Sequence, residues 1–560
     1  MSSPKTSFEV HVLADKNWVI AEMAADEGKA MAFADNLLQS GNHAAVRVVK
    51  DFQRIDGTHS ETVLMEKKAA EKAAGDPTLT HISEAPLCAD LEDFYGLQAR
   101  ITMGKLLRKY LDEALITPTE LLHDLKEMKR FGDKGNLLYS AIDRVASLQA
   151  KASGEDSKAR KDLLDKTWEQ MGARSKAFAA TKPKSPKTLA EALASSGGDA
   201  FALRSSMTLA LLERRSWFGK LDMLLAWATE DGAAPHMAIL DGVIADLVVP
   251  AQVIQDLLGF QSNLAAALCQ ILDLADGKAE AAKFAPATFI ELNRLFDSGA
   301  LPQTREVLST RVVREISGTN PLSRNDPAQE FEMFHKLLHR LVDRDRVAGG
   351  PLMAEALLQR GARVLNSGGA SVSAPQALEL LLGALADGCV RLQFLLTLCA
   401  SPLGKSMGEI LTEAVDAHVR RSSHIDQWIP VRLAPPARMA ALTAANKAMK
   451  TCPVLVDEFK KTLASLIDDV MVRYLQAEGV IEKIDKPDDP LAARAIRLVK
   501  FCGSGVLIEG KSLNMAKARV IEHLRQKQFE EKFVASVPDP TQGEKHLRDF
   551  HRLLVECGFG

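Results

Sequence analysis

Along the first 68 residues, apolar and polar positions alternate. Phe8, Val10 and Val12 are separated by polar residues, the period of a half-buried strand. Asp15-Lys16-Asn17 reads as a tight turn, and Trp18 with Ile20 opens a second short strand. From Asp26 to Ser40 the spacing becomes helical, with Met31, Ala34, Leu37 and Leu38 on one face and Gly41 placed to stop the helix. Val46 and Val48 resume period two, Asp56-Gly57 makes a hairpin turn, and Val63 with Met65 marks a last strand. The pattern predicts a small α+β module of ββαββ order over 1–68. His11 and Trp18 are its candidate binding residues, with Trp18 expected to pack under the helix.

Residues 69–90, with Gly75-Asp76-Pro77, read as a linker. From 91 the period is helical throughout. Thr117-Pro118-Thr119-Glu120 carries the features of a helix start: Thr at the N-cap, Pro at the first helical position, Glu three after the cap. Residues 91–150 are expected to form a compact helical group. Residues 151–198 read as a flexible basic linker. Arg174, Lys176, Lys182, Lys184 and Lys187 follow one another with no acid between Glu169 and Glu191, Pro183 and Pro186 interrupt the run, and Ser195-Ser196-Gly197-Gly198 ends it. From 199 to 560 the spacing predicts a large irregular helical array, roughly fifteen helices joined by short turns. One helix opens at Asp326-Pro327-Ala328-Gln329 with the stripe Phe331, Phe334, Leu338, Leu341 and Val342. Another carries Phe459, Leu463, Ile467, Val470 and Tyr474 and stops at Gly479. Candidate subdivisions lie near 366–375 and 486–490. The expected fold is predominantly α, a helical array preceded by the small module.

Composition agrees. The 560 residues are 46% hydrophobic and 26% charged, as in a globular chain with a large core. Phe supplies 21 residues but Tyr only 4, and Ala and Leu, which lose little freedom in a helix, dominate. A net charge of −3 argues against bulk nucleic-acid binding. The seven cysteines are scattered without a CxxC pair, which disfavours a disulfide framework or a zinc ribbon. The start lacks an apolar signal core. The uncharged run Leu257–Leu272 has 16 residues, against about 20 for a spanning helix. The expectation is a cytoplasmic chain without a membrane span.

Four patterns bear on chemistry. Gly505-Val506-Leu507-Ile508-Glu509-Gly510-Lys511-Ser512 has the letters of a phosphate-cradling loop, making Gly505, Gly510, Lys511 and Ser512 candidate nucleotide ligands. That chemistry needs a strand before the loop, whereas Ala492 to Lys500 reads as helix. Gly404-Lys405-Ser406-Met407-Gly408 has the letters of a nucleophile elbow, which also needs a sheet. His335 and His339, one turn apart, are candidate metal ligands, with Glu332 and Asp343 extending the same side. Arg174, Lys176, Lys182, Lys184 and Lys187 are candidate contacts to an acidic partner. With no motif in its required context, no catalytic residue is assigned and no cofactor is expected. The reading is a non-catalytic interaction or regulatory protein whose helical body binds a protein partner. The alternative is a metal- or nucleotide-dependent hydrolase with its site inside the helical body.

Overall fold

The structure, a computed structural model, describes residues 5–14, 17–24, 26–40, 45–53, 59–68, 78–280, 287–323, 327–366, 373–537 and 539–559. The expected turns at Asp15-Lys16 and Asp56-Gly57, the stop at Gly41, the Gly75-Asp76-Pro77 linker, the Asp326 cap and most of the 366–375 break lie outside the described residues. The chain is 69% helical, with one four-stranded antiparallel sheet near its N-terminus. It divides into two compact units. One comprises Met1–Ile239 with Asp246–Asp256, the other Leu240–Ala245 with Leu257–Gly560.

In the first unit, strands β1 (Lys5–Ala14), β2 (Asn17–Ala24), β3 (Ala45–Gln53) and β4 (His59–Lys68) lie in the order β2-β1-β3-β4. The helix Glu27–Ser40 covers one face. Val10, Val12, Val46 and Val48 pack there against Ala30 and Ala34. Period two sends the residues between them to the other face. Trp18 pairs with Leu13, next to His11, so it lies on the face away from the helix. The expectation that it packs under the helix is thereby corrected. Its ring instead carries the Arg47 guanidinium at 4.6 Å.

The helical part of this unit buries two apolar clusters, one around Leu107, Leu111 and Phe131, the other around Phe94, Ile142 and Leu164. The helix Pro118–His123 starts as its letters require. Glu120 N–H donates to Thr117 Oγ1 (3.2 Å), and Thr117 N–H donates to Glu120 Oε2 (2.7 Å). The stretch 151–198 is not a flexible linker. Ser157–Ala180 forms a 24-residue helix that buries Arg160, Leu164, Thr167 and Met171 against the helix Leu137–Ser153. A second helix, Leu189–Ser196, follows it. Charge density misled the sequence reading, because long basic side chains cover one face of a helix while the other packs.

In the second unit, helices follow one another through short turns, and several of the helices are themselves only four or five residues long. Both candidate subdivisions, 366–375 and 486–490, fall inside this unit. Asp485, 1% exposed, accepts from Arg494, Arg519 and His523. Burial would raise its carboxyl pKa, but these hydrogen bonds hold it below the usual carboxylate range.

Among the described residues no single helix is long and apolar enough to cross a membrane. The pair Ala234–Leu247 and Ala251–Leu258 reaches that length and apolarity only across a 95° bend. All seven cysteines are free thiols.

Candidate functional site

The phosphate-loop letters fall between two helices, Leu491–Gly503 and Lys511–Leu524. Gly505 turns the chain at φ +73°, and Leu507 and Ile508 pack inward. The next helix then begins at Lys511 with its N–H groups exposed to an anion, as in a nucleotide site. That anion is already part of the protein. Asp468, on the helix Asp457–Ala477 and 4% exposed, accepts from Lys511 N–H (2.5 Å) and Ser512 N–H (3.1 Å). Gly510 is required for this approach. Its φ is +157°, and a Cβ there would stand 2.3 Å from Asp468 Oδ2. Lys511 Nζ pairs with Asp469 Oδ1 at 2.7 Å, and Ser512 Oγ donates to Ile508 O at 3.1 Å. Each group that would hold a phosphate therefore has an internal partner, and a phosphate would meet a buried carboxylate. The hollow beside the turn, about 440 Å³, is lined by Lys450, Lys460 and Lys511 together with Asp457, Asp468 and Glu509. Its other lysines are likewise engaged, Lys450 with Glu509 O (3.2 Å), Lys460 with Cys452 O (3.0 Å) and Lys461 with Glu458 (3.7 Å).

The elbow letters run from the end of a short helix, Pro402–Ser406, through Met407 to the first residue of the helix Gly408–Arg421. Gly404 is there for packing, since a Cβ would lie 2.3 Å from Leu398 O. Ser406 Oγ donates to Leu403 O, Asp416 pairs with Arg420, and His418 bonds Gly388 O at 2.9 Å. Burial lowers the His418 pKa. These three residues form no nucleophile–base chain.

His335 and His339 do meet, with Nε2 atoms 3.2 Å apart and rings edge to face. Glu332 is held by Lys336, and Asp343 accepts from Asp345 and Arg346 N–H. Among the described residues no three His, Cys, Asp or Glu side chains are grouped to hold a metal ion. Partial burial and the neighbouring His335 lower the His339 pKa. In the basic run, Arg174 is structural: it pairs with Glu92 (2.6 Å) and lies over the Phe201 ring at 4.5 Å. Lys176, Lys182, Lys184 and Lys187 are exposed, and the backbone of Lys187 is fixed by Trp227 Nε1–H at 3.2 Å.

Two arrangements were invisible in the sequence. In the first unit, the His123 ring packs tilted against both Tyr95 and Phe201, with centroids 4.9 and 4.8 Å away. Its Nδ1 bonds Thr119 O at 2.7 Å, and burial pushes its pKa down to about 3. It is thus a neutral core imidazole, without access to solvent protons. Its partners come from positions 95 to 201, so no local spacing marks them.

The second arrangement is the open face of the sheet. Met23, Glu9, Val49 and Val63 form one row across the four strands, and Ile20, His11, Arg47 and Glu66 form the next. Arg47 donates to His11 Nδ1 (3.2 Å), so His11 Nε2–H donates to Glu9 (2.8 Å). Around this polar centre Ile20, Met23 and Val63 stand 50%, 58% and 51% exposed. Half-exposed apolar residues gathered on one face have the form of a contact surface. Comparison with family models, curated proteins and solved structures returns no match for this chain.

Proposed function

We propose that this chain is a non-catalytic interaction protein that binds a protein partner. The observation that carries the reading is the open sheet face, where Ile20, Met23 and Val63 surround the Glu9–His11–Arg47 network. Apolar side chains around a fixed polar centre combine burial with directional hydrogen bonding, the usual division of work in a protein interface. The helical body, with a surface of mixed charge, is a second place for contact. The hydrolase alternative loses support from the internal pairing of Lys511 and Ser512 and from a histidine pair that has no further ligand grouped with it among the described residues.

The test is site-directed photocrosslinking in cells, with the probe replacing Met23 or, as control, Lys29 on the helix side. A discrete adduct from position 23, lost in Ile20→Asp/Val63→Asp, is expected. An adduct of twice the chain mass makes the partner a second copy. Equal adducts from both positions, or ATP hydrolysis abolished by Lys511→Ala, overturn the reading.

A further inference from the structure

The core of the first unit holds a cavity of about 110 Å³. Its walls come from the segment 86–107, from Leu121 and Phe131, and from the helices Leu137–Ser153 and Ser157–Ala180. Phe94, Met103, Leu138, Ile142, Trp168 and Met171 give it an apolar lining of rings, thioethers and branched chains. Protein interiors are close-packed, so a space of this size among well-packed helices is not routine. An apolar cavity of about 150 Å³ admits benzene, and this one, at about 110 Å³, is smaller, which limits an occupant to one small ring or a short chain.

One polar group on the wall breaks the apolar pattern. Gln149 is 1% exposed, and its Nε2–H donates to Pro86 O at 2.6 Å. Among the described residues its Oε1 has no N–H or O–H donor within reach. The group beside it is the Cys88 thiol, a weak donor directed at Pro86 O (3.6 Å). The two threonines of the wall are satisfied: Thr102 Oγ1 donates to Gln98 O, and Thr167 Oγ1 to Leu163 O. A buried amide oxygen without a donor is costly, and a ligand that supplies the donor recovers that cost.

We propose that this cavity binds a small apolar molecule, one ring or a short alkyl chain, whose single hydrogen-bond donor meets Gln149 Oε1. The lining has no charged group, so the ligand is neutral. Binding is reversible, since burial pushes the Cys88 thiol up to about 11 and leaves it protonated. The site lies apart from the sheet face and does not depend on the interaction reading.

The experiment uses the full chain with two near-isosteric probes, toluene and phenol, measured by calorimetry and by thermal shift. Both are expected to bind saturably. Ala141, on the cavity wall and 7% exposed, is replaced by Leu to fill the space, and Ala99→Leu is a second filler in case the first does not fold. A folded filler should weaken toluene at least about 10-fold. Gln149→Leu removes the acceptor and should shift the phenol-to-toluene affinity ratio about 10-fold towards toluene. Absence of saturable binding by either probe, or binding untouched by a folded filler, overturns the site. A ratio unchanged in Gln149→Leu overturns the assigned donor.

Discussion

Two helix starts in this protein use the same parts and differ in burial. At Pro118–His123 a remote carboxylate, Asp246, accepts from Thr119 N–H (3.1 Å) and Thr119 Oγ1–H (2.6 Å). At Lys511–Leu524 the remote carboxylate is Asp468, which accepts from Lys511 and Ser512 N–H. Each start also has a lysine–carboxylate pair. Lys220 and Glu120 are 1% and 0% exposed, whereas Lys511 and Asp469 are 55% and 32% exposed. Burial raises the pKa of Glu120 against the pull of Lys220. The lesson is that a lysine and an acid at a helix start say little about energy until their access to water is known. The loop that looks like a nucleotide site has the weaker pair, and the deeply engaged pair sits at a start whose letters only suggest a cap.

Four substitutions test this comparison, from the largest expected effect to the smallest. Lys220→Met strands Glu120 in the core and should cost about 3–5 kcal/mol by urea unfolding. The Glu120 carboxyl is already raised, so without its cation it takes up a proton more readily in the folded state. Folded-state protonation above the unfolded pKa makes stability fall as pH rises, so the loss should be greater at pH 8 than at pH 5. A loss under about 1 kcal/mol at both pH values would erase the contrast between the two starts.

The glycines come next. Gly510→Ala forces a Cβ against Asp468 at a backbone angle reserved for glycine and should cost about 2–4 kcal/mol. Gly505→Ala, at φ +73° with open space around it, should cost about 1–2 kcal/mol. Equal losses would show that Asp468 does not approach the turn as closely as described. The smallest effect is at Lys511→Ala, no more than about 1 kcal/mol for an exposed pair. Magnesium-ATP should shift the melting temperature of neither this variant nor the parent chain.

Local patterns were legible where they depend on neighbours in sequence. The alternation of Phe8, Val10 and Val12, the Thr117–Glu120 capping box and the stripe Leu463, Ile467, Val470 and Tyr474 all appear in the structure. The stripe on Pro327–Leu341 was one residue too wide, since Phe331 is 51% exposed. The 151–198 segment was misread because charge on one helix face conceals packing on the other. The rejection of the two motif matches rested on their helical surroundings, and those surroundings are helical.

What the sequence determined by itself was therefore the class of most elements and the side on which most of them pack, because hydrophobic period and cap chemistry act over a few residues. The tertiary structure alone decided what each polar group faces. Asp468 lies 43 residues from Lys511, Gln149 lies 63 from Pro86, and His123 meets Phe201. Whether a carboxylate occupies a helix end, or an amide oxygen is left without a donor beside a cavity, depends on contacts between distant segments and on the water they exclude. Periodicity carries no record of either.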